Sequence, residues 1–369
     1  MLGCPYGSHR VIEPEGVLPQ AAWKVSNDTS TLYDNEIMID VEALNIDSAS
    51  FRQMAEAAGG VAQAPSPAAY PSPFQGEGAA ATHGVADRIA EMILKTVAER
   101  GKQHNPVTNS GGMLIGRVAR IGPALLGRYD VAEGDDVATL VSLSLTPLRI
   151  DRIKAVHPEI DRVDIEGQAI LFERTALVRL PADMPRTMAL AILDVAGAAP
   201  QTHRLVKPGQ AVLILGAGGK SGMLCAAAAR QGLGPAGRVI GAGHSHRSTE
   251  RIRGLGLCDV VLQVDAQRPL EVEAKAREAT GGRMADLTIN CTNAADTEMA
   301  SILATREGGT VYFFNMATSF ARAALGAEGI ARDVTLVIGN GYAAGHAGFS
   351  LELVRRSPAL RRVFEEMYG

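Results

Sequence analysis

Cysteine is scarce in this chain of 369 residues, and its scarcity limits how the fold is stabilised. The four cysteines are scattered, and none stands in a Cys-x-x-Cys spacing: Cys4, Cys225, Cys258 and Cys291. Closely spaced cysteine pairs are the usual mark of a disulfide framework or a structural zinc site. The sequence therefore argues against both.

The chain also lacks an excess of positive charge and a long apolar run. A formal net charge of −4 gives no general attraction to nucleic acid or to a membrane surface. No apolar stretch is long enough to span a bilayer, and the first ten residues lack the apolar centre of a signal peptide. We therefore expect a cytoplasmic protein with no nucleic-acid or membrane partner.

The most informative stretch is residues 211–222, where an apolar run meets a glycine-rich turn ahead of a predicted helix at 223–230. Strand, glycine turn and helix form the context of a dinucleotide-binding site, in which the helix N-terminus faces a pyrophosphate. Gly216 then allows the tight turn, Gly218 lets the backbone approach the pyrophosphate, and Gly222 lets helix pack on strand. The third glycine comes one residue late, so an ordinary strand-to-helix turn is the alternative.

Four more apolar strands follow, with helical segments between them. The strands are predicted at residues 238–242, 260–264, 286–290 and 309–314, and the helices at 248–255, 269–280 and 297–305. Strands that alternate with helices indicate a parallel, doubly wound sheet, which binds ligands at the carboxyl ends of its strands.

The first half of the chain predicts a β-rich domain, and the chain length favours two domains. Residues 36–44 alternate apolar with acidic side chains, as in a half-buried strand, and further strands are predicted at 140–147 and 169–179. Residues 87–100 have the apolar spacing of an amphipathic helix. Residues 57–86 are rich in proline, glycine and alanine, and we interpret them as a mobile surface insertion without a catalytic role.

The order of these elements resembles the medium-chain dehydrogenase/reductase superfamily. Its marks stand at Ile121-Gly122, at Val131-x-x-Gly134-Asp135-x-Val137 and at Lys207-Pro208-Gly209. The resemblance covers nearly the whole chain and implies an α/β fold, with a GroES-like β-rich catalytic domain and a Rossmann doubly wound parallel sheet. We place the catalytic domain at 1–190, the NAD(P)-binding Rossmann domain at 191–325, and a return to the catalytic domain at 326–369.

Six segments resemble one family of that superfamily, the 3,5-diaminohexanoate dehydrogenases of anaerobic lysine fermentation. They are residues 7–14, 44–51, 140–147, 216–222, 301–305 and 314–320. The resemblance implies a diamino acid substrate, which is oxidatively deaminated to 5-amino-3-oxohexanoate and ammonia with reduction of NAD(P)+. The insertion at 57–86 departs from the family pattern without putting the chemistry in doubt.

Many members of the superfamily hold catalytic zinc through a cysteine after the first strand and a Gly-His-Glu sequence. Here Asn45 stands at the first position and Ser110-Gly111-Gly112 at the second, so the usual ligands are missing. His83 and His104 are the remaining candidates, and both lie in or beside predicted loops. A neutral amine can expel hydride with its own lone pair, and a dication would oppose the cationic iminium product. We therefore expect no zinc.

Two carboxylates are candidates for contact with the reacting amine, which must lose a proton before hydride leaves. Asp47 follows the strand whose end faces the cleft in the superfamily, and the alternative is that it caps the helix at 50–57. Asp194 lies in the apolar helical region 181–203, which borders the nicotinamide in related folds, and the alternative is a solvent-facing position. We predict both as catalytic residues.

The substrate carboxylate needs a cation or a set of hydrogen-bond donors. Arg10, beside His9 in the family-like opening segment, is the preferred anchor, and pairing with Glu13 is the alternative. Ser142 and Ser144 alternate on one face of a predicted strand, where they would donate to substrate or form strand surface.

The segment after the last predicted strand, an apolar run at residues 333–339, supplies two more predicted substrate-binding residues. Asn340 and His346 stand where the superfamily often lines its pocket, although a lone loop histidine is more often structural.

No acidic residue ends the second strand, where NAD-preferring sites place one on the ribose. Ser245, His246 and Arg247 stand there instead and suit a 2′-phosphate, so we expect NADP in preference to NAD. The alternative is that Arg247 is a helix-surface residue and that NAD binds without its usual acid. The predicted cofactor-binding residues are Gly216, Ala217, Gly218, Gly219, Lys220, Ser221, Gly222, Ser245, His246, Arg247, Asp265, Cys291, Thr292, Asn293, Phe314 and Asn315.

Two other functions fit the same fold. A zinc-free NADPH-dependent quinone or enone reductase needs no carboxylate at the hydride site. A non-catalytic nucleotide-binding member needs no chemistry at all, and the acids Asp47 and Asp194 count modestly against it. By analogy with zinc-free relatives, we expect a homodimer.

Overall fold

In the computed structural model the chain divides into two compact units, Met1–Leu190 with Tyr368 and Ala191–Met367 with Gly369. The structure describes residues 1–59, 79–105, 111–315 and 317–369. Each unit has its own six-stranded sheet. Within the described ranges, no helix combines the length and the apolar character needed to cross a membrane.

The first unit is mainly β-structure. Its elements are β1 (Val11–Glu13), β2 (Lys24–Val25), β3 (Glu36–Asn45), α1 (Ser48–Ala57), α2 (Ala79–Arg100), β4 (Met113–Ile121), β5 (Asp136–Thr139), β6 (Leu148–His157), β7 (Arg162–Phe172) and β8 (Leu177–Arg179), and α3 (Arg186–Leu193) crosses into the second unit. The sheet runs in the order β6-β7-β3-β4-β5-β8, and every neighbouring pair in it is antiparallel.

The centre of this unit follows from the alternation in β3. Ile37, Ile39 and Val41 are buried, whereas the acidic side chains between and after them are exposed, as a strand with one buried face requires. On α2, Ile89 and Ile93 lie one turn apart and join the same core. The half-buried strand and the amphipathic helix are therefore confirmed.

The stretch predicted as a mobile insertion, residues 57–86, contains helical residues at both ends. Helix α1 ends at Ala57, and α2 begins at Ala79, eight residues before the predicted helix start at 87. The start was misplaced because the prediction relied on apolar spacing, which begins only later in the helix. The rest of the predicted insertion, at 60–78, lies outside the described residues.

The second unit alternates strands and helices. Its elements are α4 (Ala198–Leu205), β9 (Ala211–Leu215), α5 (Lys220–Leu233), β10 (Arg238–Gly243), α6 (His246–Leu255), β11 (Val260–Gln263), α7 (Pro269–Ala279), β12 (Ala285–Asn290), α8 (Glu298–Leu303), β13 (Thr305–Phe313), α9 (Phe320–Gly329), β14 (Val334–Ile338), α10 (His346–Arg356) and α11 (Pro358–Tyr368). The parallel sheet has the order β11-β10-β9-β12-β13-β14, the doubly wound order of dinucleotide-binding folds. The predicted α/β fold class is confirmed.

The last strand corrects the predicted domain organisation. Residues 326–369 were expected to return to the first domain, but β14 pairs in parallel with β13 along five residues. The chain stays in the second unit as far as Met367. The prediction of a return is wrong, because the sixth strand completes the sheet that the preceding five began.

Two local predictions also change. The apolar region at 181–203 is not one helix, since α3 ends at Leu193 and α4 begins at Ala198. Residues 140–147 do not form a strand, because Leu143–Leu145 is a turn of 3₁₀-helix. Both segments are apolar enough to be buried, and apolar content alone does not distinguish these conformations.

Candidate functional site

The glycine turn after β9 has the geometry that the sequence predicts. Gly216 has a φ of 79°, which only glycine adopts easily, and its N–H and that of Ala217 both donate to the Ala242 carbonyl at 3.0 Å. A Cβ on Gly222 would lie 2.2 Å from the Gly216 carbonyl oxygen. The turn is therefore fixed between β10 and the first turn of α5.

The open part of the turn is Gly219, the N-cap of α5, which is exposed and provides no side-chain cap. The first N–H groups of an uncapped helix are donors without an intrahelical partner, and they favour an anion. A Cβ on Gly218 would lie 2.9 Å from the Ser248 carbonyl oxygen, so this glycine allows α6 to approach. The surface suited to a pyrophosphate is thus centred one residue later than predicted.

One predicted catalytic residue lies beside this turn. Asp194 follows the last residue of α3, and its Oδ2 accepts a hydrogen bond from Nζ of Lys220, the first residue of α5, at 2.7 Å. The two side chains are 20% and 22% exposed. The alternative of a solvent-facing Asp194 does not describe this geometry. The pair places a carboxylate and an ammonium next to a site for an anion.

The carboxyl ends of β12 and β13 carry a buried polar network that sequence reasoning missed. Its centre is Asn290, the last residue of β12, which is completely buried. Its Oδ1 accepts from the Thr292 N–H at 3.1 Å and from the Asn315 amide at 3.0 Å. Its Nδ2 donates to Thr297 Oγ1 at 2.8 Å and Ser301 Oγ at 2.9 Å. A polar residue at the end of the apolar run 286–290 was the available signal.

Three predicted cofactor residues belong to the loops that this network joins. Thr292 and Asn315 bind Asn290 directly, and the Phe314 N–H donates to the Asn290 carbonyl at 2.9 Å. Asn293 is exposed beside them. The structure therefore brings these predicted residues together at one edge of the sheet.

Cys291 supports the glycine turn from below. A Cβ on Gly216 would lie 2.9 Å from the Cys291 carbonyl carbon and oxygen. The Cys291 Sγ lies 3.8 Å from Sγ of Cys225 on α5. The hydrogen bond with Cys225, together with burial, raises the pKa of Cys291 well above its ordinary value. This thiol is therefore a packing group rather than a nucleophile.

The residues predicted for a 2′-phosphate lie at the end of β10. Ser245 caps α6 by accepting from the Ser248 N–H at 3.2 Å, and His246 and Arg247 are exposed in the first turn. Arg251, which sequence reasoning missed, donates to the Gly218 carbonyl at 2.7 Å. It stands one helical turn after Arg247, and that spacing was the available signal.

Asp265 follows β11, the next strand along. Its Oδ1 accepts from the Gln267 N–H at 2.9 Å, which makes it part of a local turn. Its predicted contact with cofactor stays a prediction.

The predicted residues after β14 lie in the same unit. The Asn340 side chain accepts from the Tyr342 N–H at 2.9 Å, and its carbonyl accepts from Gln201 at 2.8 Å. His346 is 3% exposed at the start of α10, and its Nε2 has no hydrogen-bond partner within the described part of the chain. Burial lowers the pKa of His346, so its ring is neutral at neutral pH.

Asp47 belongs to the first unit, and the structure gives it the alternative role stated above. Its Oδ1 accepts from the Ser50 N–H at 2.9 Å and its Oδ2 from the Ser50 hydroxyl at 2.6 Å, so it caps α1. A catalytic role for Asp47 stays a prediction that must be compatible with this cap.

Arg10 is not an exposed anchor for a substrate carboxylate. It is 3% exposed and binds both carboxylate oxygens of Glu36 at 2.6 Å, and it also donates to the Asp28 and Thr31 carbonyls. His9 binds the same carboxylate at 2.8 Å. The predicted role is corrected because the guanidinium is buried and held by four hydrogen bonds, and its partner is Glu36 rather than Glu13.

The serines predicted on a strand face bind each other instead. Ser142 caps the 3₁₀ turn, and its hydroxyl lies 2.8 Å from that of Ser144, which is completely buried. The strand-face argument for Ser142 and Ser144 as substrate ligands is therefore wrong.

Within the described ranges, no group of three or more His, Cys, Asp or Glu side chains is arranged to hold a metal ion. His104, one of the two remaining zinc candidates, is beside Lys102, which is fully buried. Burial, reinforced by the charges of Lys102 and Arg100, lowers the pKa of His104 to about 4.

Comparison with known sequences gives full-length relatives. A family model described as the N-terminal domain of L-erythro-3,5-diaminohexanoate dehydrogenase matches residues 9–65 and 77–181. The L-erythro-3,5-diaminohexanoate dehydrogenase of Acetoanaerobium sticklandii is 52% identical over 368 residues, which cover 100% of both chains. That of Fusobacterium nucleatum is 50% identical over 366 residues, 99% of each chain.

Solved structures with a similar fold are much more distant in sequence. The CurK enoyl reductase has a TM-score of 0.53 at 17% identity, over 96% of this chain and 85% of its own. An alcohol dehydrogenase superfamily protein from Novosphingobium aromaticivorans has a TM-score of 0.50 at 19% identity, over 94% and 84%. At this level of identity the likeness supports the fold alone.

Proposed function

The chain belongs to the L-erythro-3,5-diaminohexanoate dehydrogenase family, and from that premise we propose how it carries out the reaction. The protein is an oxidoreductase that acts on a CH–NH2 group with a nicotinamide cofactor. The substrate C3–H bond breaks, and the nitrogen on C3 forms a C=N bond to that carbon. Water then adds to the same carbon and ammonia leaves, which gives 5-amino-3-oxohexanoate. When bound, NAD(P)+ accepts the hydride.

The observation that carries this mechanism is the Asp194–Lys220 pair beside the glycine turn. The reacting amine must lose a proton before its lone pair can expel hydride, and the iminium that results is cationic. Asp194 is a carboxylate that can accept that proton and pass it to solvent, since its side chain is 20% exposed, and in its ionised form it then stabilises that cation. Lys220 holds Asp194 in place and gives the anionic pyrophosphate a counter-charge.

The residues present fit a dinucleotide. A side chain at Gly216 or Gly222 would collide with neighbouring backbone, and the uncapped N-terminus of α5 offers N–H donors to a pyrophosphate. Asn340 and His346, after β14, are the candidates in this unit for contact with the diamino acid. Asp47, in the first unit, stays a separate proposed catalytic carboxylate, compatible with its cap on α1.

We propose that NADP+ is preferred to NAD+. The end of β10 presents Ser245, His246 and Arg247 to solvent, and an arginine and a hydroxyl can bind a 2′-phosphate that an acidic residue would repel. Arg251 joins α6 to the glycine turn and so fixes this cationic surface next to the pyrophosphate site.

We further propose that the reaction needs no zinc and that the enzyme is a cytoplasmic homodimer. The support for the first is chemical, since an amine with a free lone pair needs no Lewis acid to acidify it. The support for a dimer is β14, an edge strand on which Ile338 is 56% exposed. Light scattering on the protein as it elutes from a size-exclusion column measures its mass and so tests the dimer. The mass of a monomer would contradict the proposal of a dimer.

A single assay tests the proposed function. The purified chain, treated with a chelator, is mixed with L-erythro-3,5-diaminohexanoate and either NADP+ or NAD+ at alkaline pH, and reduced cofactor is followed. We expect rapid reduction that is faster with NADP+, and release of one ammonia for each cofactor reduced. No reduction with either cofactor would overturn the assignment, and restoration only by added zinc would overturn the metal-free mechanism.

A further inference from the structure

Asn290 lies at the point of the sheet where a doubly wound fold binds its ligand. It is the last residue of β12, which pairs with β9 on one side and β13 on the other. In this strand order β9 and β12 flank the switch point, and ligands bind outside the carboxyl ends there. The Asn290 side chain is nevertheless completely buried, so it acts on a ligand only through its neighbours.

The orientation of the Asn290 amide is fixed by obligatory partners. Its Oδ1 faces the backbone N–H of Thr292, which can only donate, and its Nδ2 faces the hydroxyls of Thr297 and Ser301. The Asn315 amide is fixed in the same way, because its Oδ1 accepts from the Ala317 N–H at 3.0 Å. The two amides therefore form one chain of hydrogen bonds with a single consistent direction.

This chain of bonds joins the two loops that follow β12 and β13. Thr292 belongs to the first loop, and Asn315 and Thr318 to the second, where Thr318 Oγ1 donates to Asn315 Oδ1 at 2.7 Å. The far end of the second loop is held by Glu298, which is 1% exposed and accepts from the Ser319 N–H at 2.6 Å. A shift of one loop must therefore shift the other.

We propose that Asn290 is a positioning residue for the nicotinamide half of the cofactor. This rests on the proposed function, because it takes the two loops to be the support of the reacting ring. The Asn290 amide sets the loops before cofactor arrives, so hydride transfer begins from a fixed geometry. The adenosine half is held by the glycine turn and α6, whereas the Asn290 side chain bonds the two loops and α8.

Asn290→Ala tests this, with Thr288→Val as a matched control. Thr288 lies two residues earlier in the same strand, is equally buried, and its hydroxyl accepts from Thr305 at 2.7 Å without touching either loop. Two ligands are compared by titration, NADP+ and 2′-phospho-ADP-ribose, which lacks the nicotinamide. Single-turnover reduction of cofactor then reports hydride transfer.

For Asn290→Ala we expect about a hundredfold slower single-turnover reduction and weaker NADP+ binding, with unchanged affinity for 2′-phospho-ADP-ribose. Thr288→Val should match the wild type in all three. Asn290→Asp, which keeps the Oδ1 acceptor, should fall between the wild type and the alanine variant and serves if the alanine variant does not fold. If Asn290→Ala lost affinity equally for NADP+ and 2′-phospho-ADP-ribose, or lost affinity for neither ligand, the proposal would be overturned. A different result would overturn only the proposed function. In that case Asn290→Ala binds NADP+ more weakly and 2′-phospho-ADP-ribose as before, but the wild type does not oxidise the diamino acid.

Discussion

Two ion pairs, one in each unit, show how differently the same two charges can be used. Arg10 and Glu36 are almost fully buried, share two hydrogen bonds, and have their remaining groups bound by backbone and by His9. Lys220 and Asp194 share one contact at 2.7 Å and are about one-fifth exposed. The first pair lies at the start of β3, and the second beside an uncapped helix N-terminus.

The two pairs differ in how deeply they are buried. A buried charge must have its hydrogen bonds completed, because an unpaired charge in the interior is very costly, and a completed pair has no capacity left for a ligand. A partly exposed pair stays accessible to a ligand, so under the proposed mechanism its carboxylate can face the substrate and its ammonium the cofactor. Burial, more than sequence position, therefore separates the structural pair from the pair proposed to take part in the chemistry.

The largest expected effect comes from breaking the buried Arg10–Glu36 pair. Arg10→Met leaves Glu36 buried without its main partner and should lower the free energy of unfolding by about 3–5 kcal/mol. The exposed pair Arg152–Glu166 in the same unit is the control, and Arg152→Met should cost only about 0–1 kcal/mol. Urea unfolding measures both changes in the free energy of unfolding. Equal losses in the two variants would contradict the argument that the buried pair is the structural one.

The next largest effect comes from the Asp194–Lys220 pair, and we expect it in catalysis rather than in stability. Asp194→Asn keeps the shape but removes the proton acceptor, and kcat/KM for the diamino acid should fall by at least about a hundredfold. Its unfolding free energy should change by less than about 1 kcal/mol. Glu307→Gln, which weakens the pair with Arg332, is the control and should leave kcat/KM unchanged. Full activity in Asp194→Asn would remove Asp194 from the mechanism.

A third change separates cofactor selection from chemistry. Arg247→Ala should raise the KM for NADP+ about tenfold, the effect of losing one hydrogen bond to a charged group, and leave the KM for NAD+ unchanged. Arg253→Ala is the control, because this arginine lies on the same helix, six residues further from the end of β10, and pairs with Glu250. A parallel rise for both cofactors would show that Arg247 does not contact a 2′-phosphate.

The smallest effect sharpens the comparison through pH. Burial alone would raise the pKa of Glu36, but hydrogen bonds from Arg10, His9 and the Tyr33 N–H together hold it below its ordinary 4.5. The folded protein therefore binds this proton less readily than the unfolded chain does. The stabilisation from Glu36 should be present above pH 4.5 and lost as pH falls through the folded-state pKa. The stability difference between wild type and Glu36→Gln should narrow over that acid range.

The parts of this fold that the sequence predicts are those whose cause is local. The turn at Gly216 and Gly222, the alternation in β3 and the amphipathic face of α2 each depend on neighbours along the chain. The sixth strand was visible as an apolar run, but its sheet partner is a tertiary fact, so its domain was assigned wrongly.

The site was less predictable for the same reason. Arg10 binds a carboxylate 26 positions away, and Asp194 an ammonium 26 positions away, so charge type alone identified neither partner. Asn290 was overlooked because a buried amide becomes informative only when its partners from two loops are in place.

The cysteines of this protein can report its local unfolding through their reaction with an alkylating reagent. In the first unit, a hydrogen bond from Ser8 is the main cause of a lowered pKa at Cys4, so this thiol should react with an alkylating reagent in the folded protein. In the second unit, burial raises the pKa of Cys258 to about 12, and the Cys225–Cys291 contact lies within the core. The two core sulfurs, those of Cys225 and Cys291, should therefore be alkylated only when the sheet opens. A reagent followed residue by residue by mass spectrometry would then measure how often the dinucleotide unit unfolds, with Cys4 as the internal standard.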